Sequence, residues 1–251
     1  MRTLDHAAPA LGTTGVADAR PLSARMLVAA VLLAAYGNLT SIAWKDATPA
    51  GAWPGVPLGL LPAIGMLAWA RQTGLTRHVL GLDRRGVLRS ATVGLLVALA
   101  VALPAVVFLR MPPLIGAPVS YSALNTLSTE ALIWRGLVWM PLDTALPEEI
   151  AFRGALLGAL LQRFPTRRAV LWSALTFTAW HVVIVVRTLA ETNLADQPVL
   201  AGLSFAGALA SIFVGGVVFA ALRVRTGHLA ASAVMHWAFN AALLFGLYAP
   251  P

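Results

Sequence analysis

Glu148 and Glu149 stand side by side in the stretch LPEEIAFRG, with Arg153 one turn further on. A charge at the centre of a membrane helix costs about 2.5–3.5 kcal/mol. Three such groups within six residues need partners or a purpose. On a helix Glu149 and Arg153 are i, i+4 neighbours and can pair. Glu148 points about 100° away, on the face it shares with Phe152. One carboxylate is thus neutralised and the other is left for different work. Pro147 suits a first helical turn, where its missing N–H costs nothing, and both carboxylates then sit near the positive end of the helix dipole. Two further polar pairs follow: Phe177 and His181 in FTAWH, and His236 and Asn240 in HWAFN, each at i, i+4. Measured from Arg163, Glu148 lies about 22 Å along its helix at 1.5 Å per residue. His181 lies about 20 Å from the Arg167–Arg168 end, and His236 and Asn240 lie about 13 and 19 Å from Gly227. If the three helices start at one face, a carboxylate, two imidazoles and an amide converge in one zone, the make-up of a hydrolytic site. The structural alternatives are a buried charge cluster that locks helices together and histidines that only bridge helices.

The elements that must carry these groups follow from hydropathy. The chain has 251 residues, of which 59% are hydrophobic and 11% charged, with mean hydropathy +0.78. Soluble domains are nearer a quarter charged, so this is an all-α, polytopic transmembrane bundle. Its spans are expected at Met26–Trp44, Trp53–Ala70, Ser90–Leu109, Ala145–Gln162, Ala169–Val186, Val199–Leu222 and His228–Tyr248. Pro54, Pro57 and Pro62 shorten the second. Residues 1–25 have no apolar core and are expected as a disordered cytoplasmic tail, leaving 26–250 as one membrane domain. Basic loops at Arg71–Arg89, Arg163–Arg168 and Arg223–Arg225 alternate with near-neutral ones at Lys45–Asp46, Arg110–Ser120 and Arg187–Gln197. The positive-inside rule then gives seven spans, a cytoplasmic N-terminus and an outside C-terminus. Tyr121–Pro141, apolar but carrying Glu130 and Arg135, is an interfacial or re-entrant helix or an eighth span. Val79, Leu80, Leu82, Val87 and Leu88 give Arg71–Arg89 the apolar set of an interfacial helix. The net charge of +8 is accounted for by loop arginines facing anionic lipid, and no aromatic-interleaved basic stretch points to nucleic acid. Without cysteine there is no thiolate nucleophile and no Cys-ligated zinc. The excess of arginine over lysine and the abundance of alanine match a GC-rich bacterium, and the location expected is the cell membrane.

The three motifs, in this order and spacing, resemble the CAAX protease and bacteriocin-processing (Abi) family, the group that contains the Ras-converting type of CAAX prenyl endopeptidase. The signature E-E-x-x-x-R is met by Glu148, Glu149 and Arg153, F-x-x-x-H by Phe177 and His181, and H-x-x-x-N by His236 and Asn240. The resemblance covers about Leu146–Asn240. It implies about eight spans around a buried polar, water-accessible cavity, with a catalytic core at about 121–248. It also implies an intramembrane endopeptidase acting on a membrane-associated peptide or protein with a hydrophobic or lipidated segment. Glu148 would be the base that activates water and His181 would orient that water. His236 and Asn240 would stabilise the oxyanion of the tetrahedral intermediate. Glu149 and Arg153 would fix the helix carrying Glu148, and Phe177 would pack or line the substrate channel. No cofactor is expected. Two Glu and two His could hold zinc, but H-E-x-x-H is absent and Asn240 is a poor zinc ligand.

Three other readings compete. A membrane scaffold or immunity factor of the same fold would work by binding alone; the complete polar set argues for catalysis. A serine protease of the rhomboid type would use Ser204 in GLSFAG with His236 as base, but Phe205 stands where a glycine is expected. A transporter would use the same groups as a proton relay, but no inverted repeat is present.

Overall fold

The structure, a computed structural model, describes residues 19–43, 55–111 and 117–248. Residues 1–18 of the expected tail, the Lys45–Asp46 loop and the first residues of the second expected span, Trp53 and Pro54, lie outside the described residues. The described chain is helical: α1 (Ala19–Ala43), α2 (Gly55–Gln72), α3 (Arg77–Leu80), α4 (Val87–Arg110), α5 (Ser122–Asn125), α6 (Thr129–Trp134), α7 (Leu146–Glu149), α8 (Leu157–Leu161), α9 (Thr166–Trp180), α10 (Val182–Ala190), α11 (Pro198–Thr226) and α12 (Leu229–Leu247). Two wide π-type stretches, Arg135–Ala145 and Ile150–Leu156, join α6, α7 and α8 into one composite helix, 129–161. Among the described residues there is no strand, only an isolated antiparallel bridge between Tyr121 and Thr192.

Among the described residues four helices are long and apolar enough to cross a membrane: Ala24–Ala43, Val87–Arg110, Pro198–Thr226 and Leu229–Leu247. The pair α9 and α10, bent by 43° at His181, makes a fifth candidate if it is one broken span. This is fewer than the seven to eight expected, for physical reasons. The composite helix carries Glu130, Arg135, Asp143, Glu148, Glu149 and Arg153, too many charges to read as a span by composition. The start of the α2 region lies outside the described residues. The outward faces of the long helices are apolar, with Leu27, Leu32 and Leu39 on α1, Leu96 and Leu103 on α4, and Val199 and Leu203 on α11 all exposed. This is the surface a multi-pass membrane protein offers to lipid.

The composite helix unites what the sequence divides at Pro141. Proline has no N–H to give, and helices absorb one by shifting register. Here Leu146 N–H reaches back five residues to the Pro141 carbonyl. In that register the Gly136 carbonyl would look to the missing Pro141 N–H, and the Trp237 indole Nε1–H supplies the bond instead, at 2.8 Å. Tyr121–Pro141 is therefore not a separate interfacial helix: its second half is the outer part of the composite helix. From Ala151 to Leu160 every residue is buried, which marks this as the central helix of the bundle.

The remaining helices pack around it. Ser90, Gly94, Ala98 and Ala102 form the buried stripe of α4. These small residues let α12 approach closely; a methyl group on Gly94 would overlap the Ala231 carbonyl. The expected interfacial helix in Arg71–Arg89 is only the four residues of α3. Leu80 is buried there beneath the composite helix, and Val87 and Leu88 already belong to α4. A groove of about 800 Å³ opens between α1 and α2, lined by residues including Val28, Leu32, Tyr36, Met66 and Trp69.

The two ends of the bundle differ. At one end His228 Nε2–H donates to the Asp83 carbonyl (2.6 Å), Arg223 to that of Val79 (2.7 Å), and Leu229 N–H to that of Gly81 (2.9 Å). At the other, Ser122 Oγ–H donates to Glu191 (2.6 Å), Asn193 to the Pro118 carbonyl (3.0 Å), and Arg110 to those of Gly246 and Tyr248 (2.6 and 2.8 Å).

Candidate functional site

The composite helix brings Glu148, Glu149 and Arg153 into the centre of the bundle. Glu149 and Arg153 are fully buried and Glu148 is 7% exposed. The expected i, i+4 pair forms, with Arg153 Nη1–H donating to Glu149 Oε1 at 2.9 Å. Arg153 also reaches the Gly216 carbonyl of α11 at 3.5 Å. Its guanidinium carbon lies 4.0 Å from the Phe177 ring centre and 5.0 Å from that of Phe219. Aromatic faces carry negative potential, so they serve a buried cation as partial counter-charge.

His181 sits at the break between α9 and α10, not within a straight span as expected. Its backbone N–H turns tightly to the Thr178 carbonyl (3.0 Å), and its ring Nδ1 meets the Phe177 carbonyl at 2.7 Å. His236, on α12, places Nδ1 at 3.2 Å from Glu149 Oε1. A carbonyl only accepts, and so does a carboxylate paired with arginine. Both rings therefore carry their proton on Nδ1 when neutral, which fixes the tautomer. Both Nε2 atoms then face the same target: each lies 3.9 Å from Glu148 Oε2. That oxygen has no direct hydrogen-bond partner among the described residues. Two lone pairs facing a carboxylate repel unless a proton donor mediates. A separation of 3.9 Å suits one water or substrate oxygen shared among the three groups.

The surroundings are aromatic. Phe219 stacks on His236 (centroids 4.9 Å apart, planes at 23°), and Phe177 meets His181 edge-on at 4.4 Å. Phe152 packs edge-on against Phe177 and Trp180. Phe177 thus contacts His181, His236 and Arg153 at once. Asn240 lies one turn beyond His236, half-buried, and is not hydrogen-bonded to the carboxylates or imidazoles. The convergence inferred from helical depth is met by Glu148, His181 and His236. Phe219 and Gly216 escape the sequence reading because nothing in their own pattern marks them; only the crossing of α11 over the composite helix brings them in. Ser204 is fifteen residues before Phe219 on α11, about 22 Å along the helix, and has no contact with His236.

Among the described residues no group of three or more His, Cys, Asp or Glu side chains is arranged to hold a metal ion. Zinc ligands at about 2.0–2.1 Å would stand roughly 3.3 Å from one another in a tetrahedron, closer than these 3.9 Å separations.

Residues 129–242 match the family model described as type II CAAX prenyl endopeptidase Rce1-like. No curated protein and no solved structure matches the chain.

Proposed function

We propose that this chain, a member of the Rce1-like type II CAAX prenyl endopeptidase family through residues 129–242, is an intramembrane endopeptidase that hydrolyses a peptide bond with a water activated by Glu148. The observation that carries the reading is the approach of two Nε2 atoms to one buried carboxylate oxygen, each at 3.9 Å. A water among these atoms gives its proton to Glu148 as it attacks the scissile carbonyl, and Glu148 returns that proton to the departing amine. His181 Nε2 accepts the water's other proton as a hydrogen bond and orients it. His236 differs from the expected role in one respect. With Nδ1–H on Glu149, it donates to an oxyanion only as the imidazolium, and the Glu149 carboxylate stabilises that charge. Asn240 donates without titrating, once substrate brings the oxyanion within its reach.

The site works without a metal in this reading, which rests on the wide ligand separations and the missing H-E-x-x-H. The substrate is a peptide or protein with a hydrophobic or lipidated segment, delivered in the bilayer of the cell membrane. Seven helical passes are proposed: α1, α2, α4, the composite helix, α9 with α10, α11 and α12. The test is peptide cleavage, read by mass spectrometry, with purified wild type and Glu148→Gln on a library of hydrophobic and prenylated C-terminal peptides, with and without chelator. Cleavage by wild type alone, indifferent to chelator, is the expected result. Equal cleavage by both proteins removes Glu148 from catalysis, and loss with chelator moves the site to a metal. A non-catalytic scaffold of the same fold predicts no cleavage and a cellular phenotype that survives Glu148→Gln.

A further inference from the structure

The break at His181 has no proline or glycine to cause it; the local sequence is FTAWHVVIV. A sharp kink without them needs something inserted into the backbone ladder. The inserted group is Asn38, from α1. In an unbroken helix the Val183 N–H would bond the Ala179 carbonyl. Here Asn38 stands between them. Its Nδ2–H donates to the Ala179 carbonyl at 2.7 Å, and its Oδ1 accepts from Val183 N–H at 2.8 Å. The second Nδ2 proton goes to the Ala34 carbonyl of α1, also at 2.7 Å. Both donors and the acceptor of an amide that lies within an apolar helix are thereby used. The approach is close: a methyl group on Gly37 would run into the Trp180 indole.

One consequence follows from another along this turn. With the 179–183 bond taken over by Asn38, the turn before it tightens, and the His181 N–H bonds Thr178 in place of Phe177. The Phe177 carbonyl is released and is met by His181 Nδ1 at 2.7 Å. That bond fixes both the tautomer and the direction of the ring, leaving Nε2 as the lone pair that faces Glu148.

We infer that Asn38 is a positioning residue: by holding the α9–α10 ladder open it aims His181 Nε2 at Glu148. It lies outside the residues that match the family model, so the first helix contributes to a site whose motifs all lie in the second half of the chain. The catalytic consequence rests on the endopeptidase reading; the structural one does not.

The experiment therefore has two arms on the full-length protein. In the first, cleavage is measured for wild type, Asn38→Ala and Asn38→Ala/Val183→Pro. Asn38→Ala lets Val183 N–H close onto Ala179. kcat is expected to fall about 10- to 100-fold, the cost of a misplaced catalytic group, with KM little changed. Proline at 183 has no N–H with which to close the ladder and is tolerated in a first helical turn, so the double variant is expected to recover most of kcat. A general packing defect would not be cured by a second substitution of this kind. In the second arm, ¹⁵N histidine signals are recorded with His181→Gln to assign His181. Wild type is expected to show a single Nδ1–H tautomer, Asn38→Ala a mixture, and the double variant the single form again. If Asn38→Ala does not fold, the double variant and Asn38→Ser carry both arms. An unaltered His181 tautomer in every Asn38 variant overturns the inference. If wild type cleaves nothing while the tautomer still depends on Asn38, the endopeptidase reading fails and the inference stands.

Discussion

Glu149 Oε1 holds two groups at once, Arg153 and His236. That doubles its importance and lets stability be separated from activity. Removing one member of a buried ion pair leaves the other uncompensated, at a cost of about 3–5 kcal/mol. Glu149→Gln and Arg153→Ala are therefore expected to lower the unfolding midpoint in detergent markedly. Replacing both, as Glu149→Leu with Arg153→Met, removes the uncompensated charge and is expected to restore much of that stability. The double variant is nonetheless expected to be inactive, because His236 Nδ1 has lost its acceptor and the ring its fixed tautomer. A stable and active double variant would show that Glu149 serves only the arginine. Phe219 gives a smaller signal: Phe219→Leu removes a stacked contact worth about 0.5–1.5 kcal/mol, and a kcat reduced several-fold is the outcome to look for in the cleavage assay. At this scale the ion pair was readable from i, i+4 spacing alone, as was the turning of Glu148 away from it. The stack of Phe219 on His236 was not, because spacing along one helix says nothing about which residue of another helix crosses it.

Between residues and elements, proline and asparagine mislead in opposite directions. Pro141 reads as an end, yet the composite helix runs through it by widening its turns and borrowing the Trp237 indole for Gly136. The FTAWHVVIV stretch reads as continuous, yet it breaks, because the breaking group comes from α1, 145 positions before Val183. Helix boundaries were legible where the chain itself supplies the signal and hidden where a neighbour does. The borrowed bond can be tested by a double-mutant cycle. Trp237→Phe leaves the Gly136 carbonyl without its partner, and a buried unsatisfied acceptor costs about 1–3 kcal/mol. In a Pro141→Ala background the backbone recovers an N–H that reaches the same carbonyl, so the cost of Trp237→Phe is expected to shrink. Equal costs in both backgrounds, measured by chemical unfolding in mixed micelles, would mean that the indole packs there without completing the helix.

For the whole molecule, sidedness follows from which loops meet. The connections carrying Arg77, Arg84 and Arg85 and those flanking α11–α12 are tied together through Asp83, Gly81, His228 and Arg223. The connections near Ser120–Ser122 and Glu191–Asn193 are tied at the opposite end, where Tyr248 Oη–H also donates to the Leu127 carbonyl at 3.0 Å. At that same end Arg187 bonds the Ser41 carbonyl near the close of α1. Helices α1 and α12 therefore both run from the basic end to the neutral end, as the seven passes proposed above require. In the proposed topology the positive-inside rule places the basic end in the cytoplasm and the end of α12 outside, and labelling tests this. Because the chain contains no cysteine, each introduced one is unique. Cysteines at Arg84, Arg163 and Arg225 are expected to resist an impermeant maleimide in intact cells and to react after permeabilisation. Cysteines at Ser120 and Asn193, both surface positions at the neutral end, are expected to react at once. If Ser120 and Asn193 labelled on opposite sides, either the composite helix or the bent α9–α10 pair would not be a single pass, and the seven-pass proposal would fail.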